Sequence, residues 1–215
     1  MISLYYFLLT QSIMAACIIG GIRYPQMNRA YRPFVFICFI DLATEILVYC
    51  LIRQRIIPYP AANVFILCSS VLFIWLFRLW GMLNNRYLFW GLLTFQVAFW
   101  FMEHFYFDSI TNVTPYYRIE YSLVLVFLAV STINKQLVQF QGNLLKNAQF
   151  IICSGLIIFF TYSIFVEIIY LKSEVGSNFQ AHVFTIKQYI NVLTNVLFAF
   201  AMLWVPVKKR YTMLY

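Results

Sequence analysis

The sequence predicts an all-α polytopic membrane protein: a single bundle of seven transmembrane helices with the N-terminus outside and the C-terminus inside. Three observations carry this. Of 215 residues, 63% are hydrophobic and only 10% are charged, whereas soluble domains carry about a quarter charged residues. Seven apolar runs approach the roughly 20 residues needed to cross a hydrocarbon core. Lys and Arg are spread unequally between the two sets of connections, which orients the chain.

The runs are 2–22, 34–52, 61–82, 87–105, 117–134, 150–171 and 183–205. They form one domain, 1–215, with no loop long enough to fold separately. The first run lacks a basic leader and flows into a full-length span, which predicts a membrane helix and not a cleaved signal peptide. RYPQMNRAYRP ends the first span and RQRIIPYP the second; LNNR turns tightly between the third and fourth. Three longer polar connections follow the fourth, fifth and sixth, and VKKRYTMLY forms the tail.

With the N-terminus outside, the inner side holds Arg23, Arg29, Arg32, Arg86, Lys135, Lys146, Lys208, Lys209 and Arg210. The outer side holds Arg53, Arg55, Arg118, Lys172 and Lys187, and it holds or borders Glu103, Asp108, Glu120, Glu167 and Glu174. Nine bases against five set the orientation. The net charge of +8 is mostly this asymmetry, which suits anionic lipid headgroups. It does not suit nucleic acid, because no separate basic domain exists.

Cys17, Cys38, Cys50, Cys68 and Cys153 are scattered singly in or beside apolar runs. No CxxC or zinc spacing occurs, so they read as small buried hydrophobes. Aromatic residues cluster at span ends, as interfacial belts do. No P-loop, dinucleotide fingerprint, zincin motif or nucleophile elbow is present. No metal or other cofactor is assigned, and no catalytic set.

Polar residues inside spans are costly and are functional candidates. Sorted by depth at about 1.5 Å per residue, they fall into three layers. In the inner layer, Asp41 lies about 10 Å up the second span and Arg78 about 6 Å up the third. Paired, they would pin two neighbouring helices; a gate or proton-coupled switch is the functional alternative. The middle layer holds Gln11, Glu45, Gln96, Thr161 and Asn195, with Ser69 and Ser70 just above. Glu45 has no cation at its depth, so it either carries a proton or meets a water-filled cavity. The plain account of this layer is interhelical hydrogen bonding; the sharper one is a ligand or ion site. Lys187, Asn191 and Asn195 recur every four residues beside Thr194, a polar stripe that should face the interior. The outer layer, Glu103, His104, Glu120, Glu167 and Lys187 with His182 nearby, reads as an acidic vestibule or an amine pocket. His beside carboxylates also suits a metal, yet no HxxxH or ExxH pair occurs.

Lys187 sits near the outer end with Val183 one turn before it, which is not the lysine–carboxylate arrangement of a retinal protein. YPQ at 24–26 is similar to the Pro-Gln signature of PQ-loop and SWEET-like transporters, but no second Pro-Gln lies in the other half. GGIRYPQMNRAYRP running into LATEIL, RIEYSLVLVF, GLIIFFTYSIFVE and YINVLTNVLFAFAMLW before a basic tail resemble seven-helix inner-membrane proteins of Bacteroidota-type bacteria. These have no assigned activity, and many are encoded near sensor histidine kinases. The resemblance implies a bacterial inner-membrane location and a signalling partner such as a histidine kinase. Its matching polar positions are Glu45, Glu120, Glu167, Asn191 and Asn195.

Three functions remain in play. The first is a receptor-like or signalling-accessory protein with a ligand or ion pocket drawn from Glu45, Gln96, Asn191, Asn195, Glu103, His104, Glu120, Glu167 and Lys187. The second is a small secondary transporter or channel using the Glu45 layer, against which stands the scarcity of Gly and Pro breaks inside spans. The third is an intramembrane enzyme using Glu103, His104 and Glu167.

Overall fold

A computed structural model describes residue 7 and residues 9–107, 110–139, 144–172 and 178–207. Lys208, Lys209 and Arg210 of the basic tail, and Asp108 and Glu174 of the acidic side, lie outside these residues. Among the described residues the chain folds into seven α-helices. They are α1 (Met14–Arg23, entered through a 3-10 turn Gln11–Ile13), α2 (Arg32–Arg53), α3 (Tyr59–Leu79), α4 (Arg86–Met102), α5 (Pro115–Gln139), α6 (Ala148–Lys172) and α7 (Asn178–Trp204).

Helices α2, α3, α5, α6 and α7 are long and apolar enough to cross a membrane. Two others are shorter for visible reasons. The α-helical part of α4 is 17 residues because it opens into a wide π-helical turn, Glu103–Phe107. The Gln11–Arg23 helix continues a helical stretch at Phe7, Leu9 and Thr10, next to residues outside the description.

Local chemistry sets the helix starts. Pro33, Pro60 and Pro115 occupy first-turn positions, where a missing N–H costs nothing. The Asn85 side chain caps α4 by accepting from Tyr87 N, and Asn147 caps α6 by accepting from Gln149 N; both satisfy otherwise orphan amides. At the end of α3, Gly81 takes a φ of 75°, a left-handed position that glycine adopts without steric cost. Lys135 Nζ then donates to the Gly81 carbonyl at 3.1 Å. That bond, with Gln136 donating to Gln149, explains why α5 runs on to Gln139 beyond the apolar run ending at 134.

The RYPQMNRAYRP connection is bound to the far end of the chain. Arg23 Nη1 donates to the carbonyls of Met202 (2.6 Å) and Leu203, and Nη2 to that of Val205 (3.1 Å). A cation there completes the unsatisfied carbonyls of α7 and opposes the negative end of its dipole. Asn28 N donates to Pro206 O beside it.

Helix packing is a ring: α1 beside α2, then α3, α5, α6 and α7, which returns to α1. Helix α4 lies outside, against α3 and α5. The outer wall is apolar, with Ile18, Phe36, Phe39, Trp75, Trp90, Phe95, Phe127, Phe165, Leu193 and Phe200 all exposed. Such continuous apolar exposure fits a lipid bilayer as the surrounding medium. Cys17, Cys38 and Cys153 are buried as the sequence suggests, but Cys50 and Cys68 face outward. Thr161, expected in the middle polar layer, is also on the outside.

Because Arg23 serves three carbonyls, Arg23→Ala should lower the unfolding midpoint of detergent-solubilised protein. The expected loss is about 1.5–3 kcal/mol, the range for hydrogen bonds to a charged group. An unchanged midpoint would contradict the capping role.

Candidate functional site

The ring encloses a cavity of about 350 Å³, within the size of ordinary small-molecule sites. Five ring helices and the turn leading into α1 line it, and α4 does not. Thr10 and Ile13 come from the α1 end, Asp41, Thr44, Glu45 and Val48 from α2, and Ala62, Phe65, Ile66, Ser69 and Phe73 from α3. Arg118, Tyr121 and Ser122 come from α5, Leu156, Phe159, Phe160, Ser163 and Glu167 from α6, and Lys187, Gln188, Asn191, Thr194, Asn195 and Phe198 from α7.

The cavity occupies only the half of the bundle where α5 begins. In the other half Phe34, Ile37, Leu76, Phe77, Leu125, Ile152 and Met202 are fully buried. Aromatic rings make the floor. Phe198 meets Phe34 edge-on at 5.0 Å, and Phe160 meets Phe73 at 6.1 Å and Tyr121 at 5.3 Å. Gly155 permits this closure, since a Cβ there would stand 2.9 Å from the Phe198 ring.

Charge is organised across the ring. On one side Glu167 Oε1 lies 3.6 Å from both Arg118 Nη1 and Lys187 Nζ. One carboxylate thus holds cations from α5 and α7, the two helices flanking its own. On the opposite helix, α2, Asp41 and Glu45 are one turn apart on the inner face. Thr10 lies near Glu45, and Ser69 near Asp41; the Thr10 hydroxyl donates to the Phe7 carbonyl. Lower on α7, Asn195 Nδ2 donates to Ser12 Oγ at 2.9 Å. Thr194, 2% exposed, keeps its hydroxyl without a partner, as does Gln188 its carbonyl oxygen.

The cavity therefore brings together Glu45, Asn191, Asn195, Glu167 and Lys187 from the residues that depth and spacing singled out. It does not include Gln96, Glu120, Glu103 or His104. Gln96 Nε2 donates to Glu120 Oε1 at 3.0 Å, joining α4 to α5. Glu103 accepts from the amides of Tyr116 and Tyr117, which makes it the N-terminal cap of α5. The His104 ring packs on Trp100, centroids 4.1 Å apart, with Nδ1 2.8 Å from the Trp100 carbonyl. The three groups proposed for an enzyme thus have separate local partners, and among the described residues no three His, Cys, Asp or Glu side chains cluster to hold a metal. The inner ion pair also reads differently. Asp41 faces the cavity, whereas the Arg78 guanidinium lies outside over the Phe89 ring, 4.1 Å from its centroid.

Sequence reasoning missed several polar residues. Arg118 reads from the sequence as an outer-side charge; its place inside the run 117–134 is the signal that marks it as a cavity residue. Thr44, three residues after Asp41, and Ser163, four before Glu167, share a helix face with those acids, and that spacing was the available signal. Asn63, fully buried, donates to the carbonyls of Ile110 and Asn112 and accepts from Thr114 Oγ1, while its own carbonyl accepts from Trp100 Nε1. It fastens the α4–α5 connection to α3. No protein-family model, curated protein or solved structure matches the chain.

Glu167→Gln strands two cations at once, whereas Arg118→Gln or Lys187→Gln leaves Glu167 one partner. Thermal unfolding should rank Glu167→Gln as the most damaging, at about 2–4 kcal/mol, since both cations remain partly open to the cavity. Equal losses for all three would contradict a shared carboxylate.

Proposed function

We propose that the chain is a receptor-like or signalling-accessory membrane protein that takes a small ligand into the ring cavity and transmits its occupancy to a partner at the opposite face. The supporting observation is the cavity itself: largely apolar with a few convergent polar and charged groups, walled by five helices and the turn leading into α1, and backed by a fully buried apolar layer. A ligand there meets residues of five ring helices and of the turn leading into α1, and binding biases their relative packing where it prefers one arrangement. The reader of that change, in this proposal, is a second protein. The resemblance to chains encoded near sensor kinases favours a histidine kinase as that reader.

In this reading the bundle spans seven times, with α1 and α4 as the two additional crossings. From Arg86 to Phe107 the chain has 22 residues of continuous helix, about the length that a hydrocarbon core requires. The N-terminus lies outside. Arg118 and Lys187 are engaged with Glu167 in the cavity, so the surface at that end keeps fewer free cations than the sequence count gives. Arg23, Arg29, Arg32, Arg86, Lys135 and Lys146 stand at the other end, which supports placing it in the cytoplasm. The membrane is then a bacterial inner membrane.

Transport through the same cavity is the rival reading. Cross-linking in native membranes should capture a signalling protein, and the cavity-filling variant Ser163→Phe should change the amount captured. Reconstituted protein should carry no flux of small organic cations. Flux that Glu45→Gln abolishes, with no partner captured, would establish the rival.

A further inference from the structure

The reading of the cavity as a ligand site leaves the ligand's chemistry open, and the wall's charges narrow it. Three carboxylates line the cavity, Asp41, Glu45 and Glu167, against two cations, Arg118 and Lys187. Glu167 is held by both cations, and Lys187 also acts electrostatically on Glu45. Among the described residues Asp41 forms no ion pair; Ser69 is its polar neighbour. A carboxyl in a low-dielectric site either takes a proton or is held ionised by a counter-charge, and an ammonium placed against Asp41 would supply that charge. The rest of the wall shows what would bring it. Phe65, Phe73, Tyr121, Phe159, Phe160 and Phe198 present apolar and aromatic surface, which a bare metal ion could not use but an organic cation could. The buried, unpartnered Thr194 hydroxyl offers one further polar contact across the cavity.

We infer that the cavity binds a small primary amine with an aromatic or branched apolar body, its ammonium set against Asp41 and its body on the phenylalanine floor. The geometry resting on Glu167 is then the fixed, internally neutralised side of the site. The α2 side is where specificity for a cation arises. This inference rests on the reading of the cavity as a ligand site, and it commits that site to one class of ligand.

The test uses the full chain in lipid nanodiscs, with isothermal calorimetry and thermal unfolding as readouts. Four probes are compared at matched ionic strength: phenethylamine, its neutral isostere 2-phenylethanol, 3-phenylpropionate and sodium chloride. Phenethylamine should bind saturably and raise the unfolding midpoint, with the alcohol weaker by about tenfold or more. This comparison needs no variant. Asp41→Asn should weaken the amine by about tenfold or more, whereas Glu120→Gln, which alters the α4–α5 contact outside the cavity, should leave its affinity unchanged. Equal binding of amine and alcohol would overturn the inference, as would stabilisation by sodium alone. So would a preference for 3-phenylpropionate, which would move recognition to Arg118 and Lys187. If no probe binds while Ser163→Phe still alters partner capture, the amine class fails and the receptor reading stands. If no probe binds and Ser163→Phe behaves as wild type, both fail.

Discussion

Hydrocarbon cannot solvate a hydrogen-bonding group, and the arrangement of this chain follows from that constraint. Every apolar helix must place its polar side chains against another helix or around a shared internal space. Five helices and the turn leading into α1 meet the requirement together. Asp41, Glu45, Arg118, Glu167, Lys187, Asn191 and Asn195 turn inward around one cavity, while Phe36, Trp75, Phe127, Phe165 and Phe200 turn outward. The difference from a soluble domain lies in the exterior, where large apolar side chains are exposed in place of charges. Buried apolar side chains run through both halves of the bundle, and below the cavity Phe34, Ile37, Leu76, Phe77, Ile152 and Met202 close it.

The same constraint governs the helix ends, where backbone groups lose their partners. Cations complete two C-termini: Arg23 serves α7, and Lys135 reaches the Gly81 carbonyl after α3. Glu103 completes the N-terminus of α5. Basic residues at the α1–α2 end therefore act twice. They finish helices, and they supply the asymmetry from which the proposed orientation is argued.

Much of the architecture was legible because helix length and hydropathy act locally. The stripe Lys187–Asn191–Asn195 was legible too, because four-residue spacing fixes one face of a helix. Depth alone was a weaker guide, since residues at one level point in different directions around the axis. Gln96 illustrates this. It is the lone amide in an otherwise apolar helix, α4, whose sequence marks no inner face; that helix lies outside the ring, and its Gln meets Glu120. Glu103 and His104 share a depth with Glu167 but sit on a turn that serves α5 and Trp100. Asp41 and Arg78 matched in depth and opposite charge, yet α3 directs the arginine outward onto Phe89. Asn63 could not be read at all, because its partners are carbonyls of a distant connection.

The central claim is a cavity with convergent polar groups in the half of the bundle where α5 begins, closed toward the other half by packed apolar side chains. Cysteine accessibility tests it most directly, on a background from which Cys17, Cys38, Cys50, Cys68 and Cys153 have been replaced. In oriented vesicles, a membrane-impermeant maleimide applied at the α5-start side should label Asn191→Cys and Thr44→Cys. It should leave Ile152→Cys and Leu76→Cys unlabelled from either side. Labelling of Asn191→Cys from both sides, or protection of all four positions, would contradict the account.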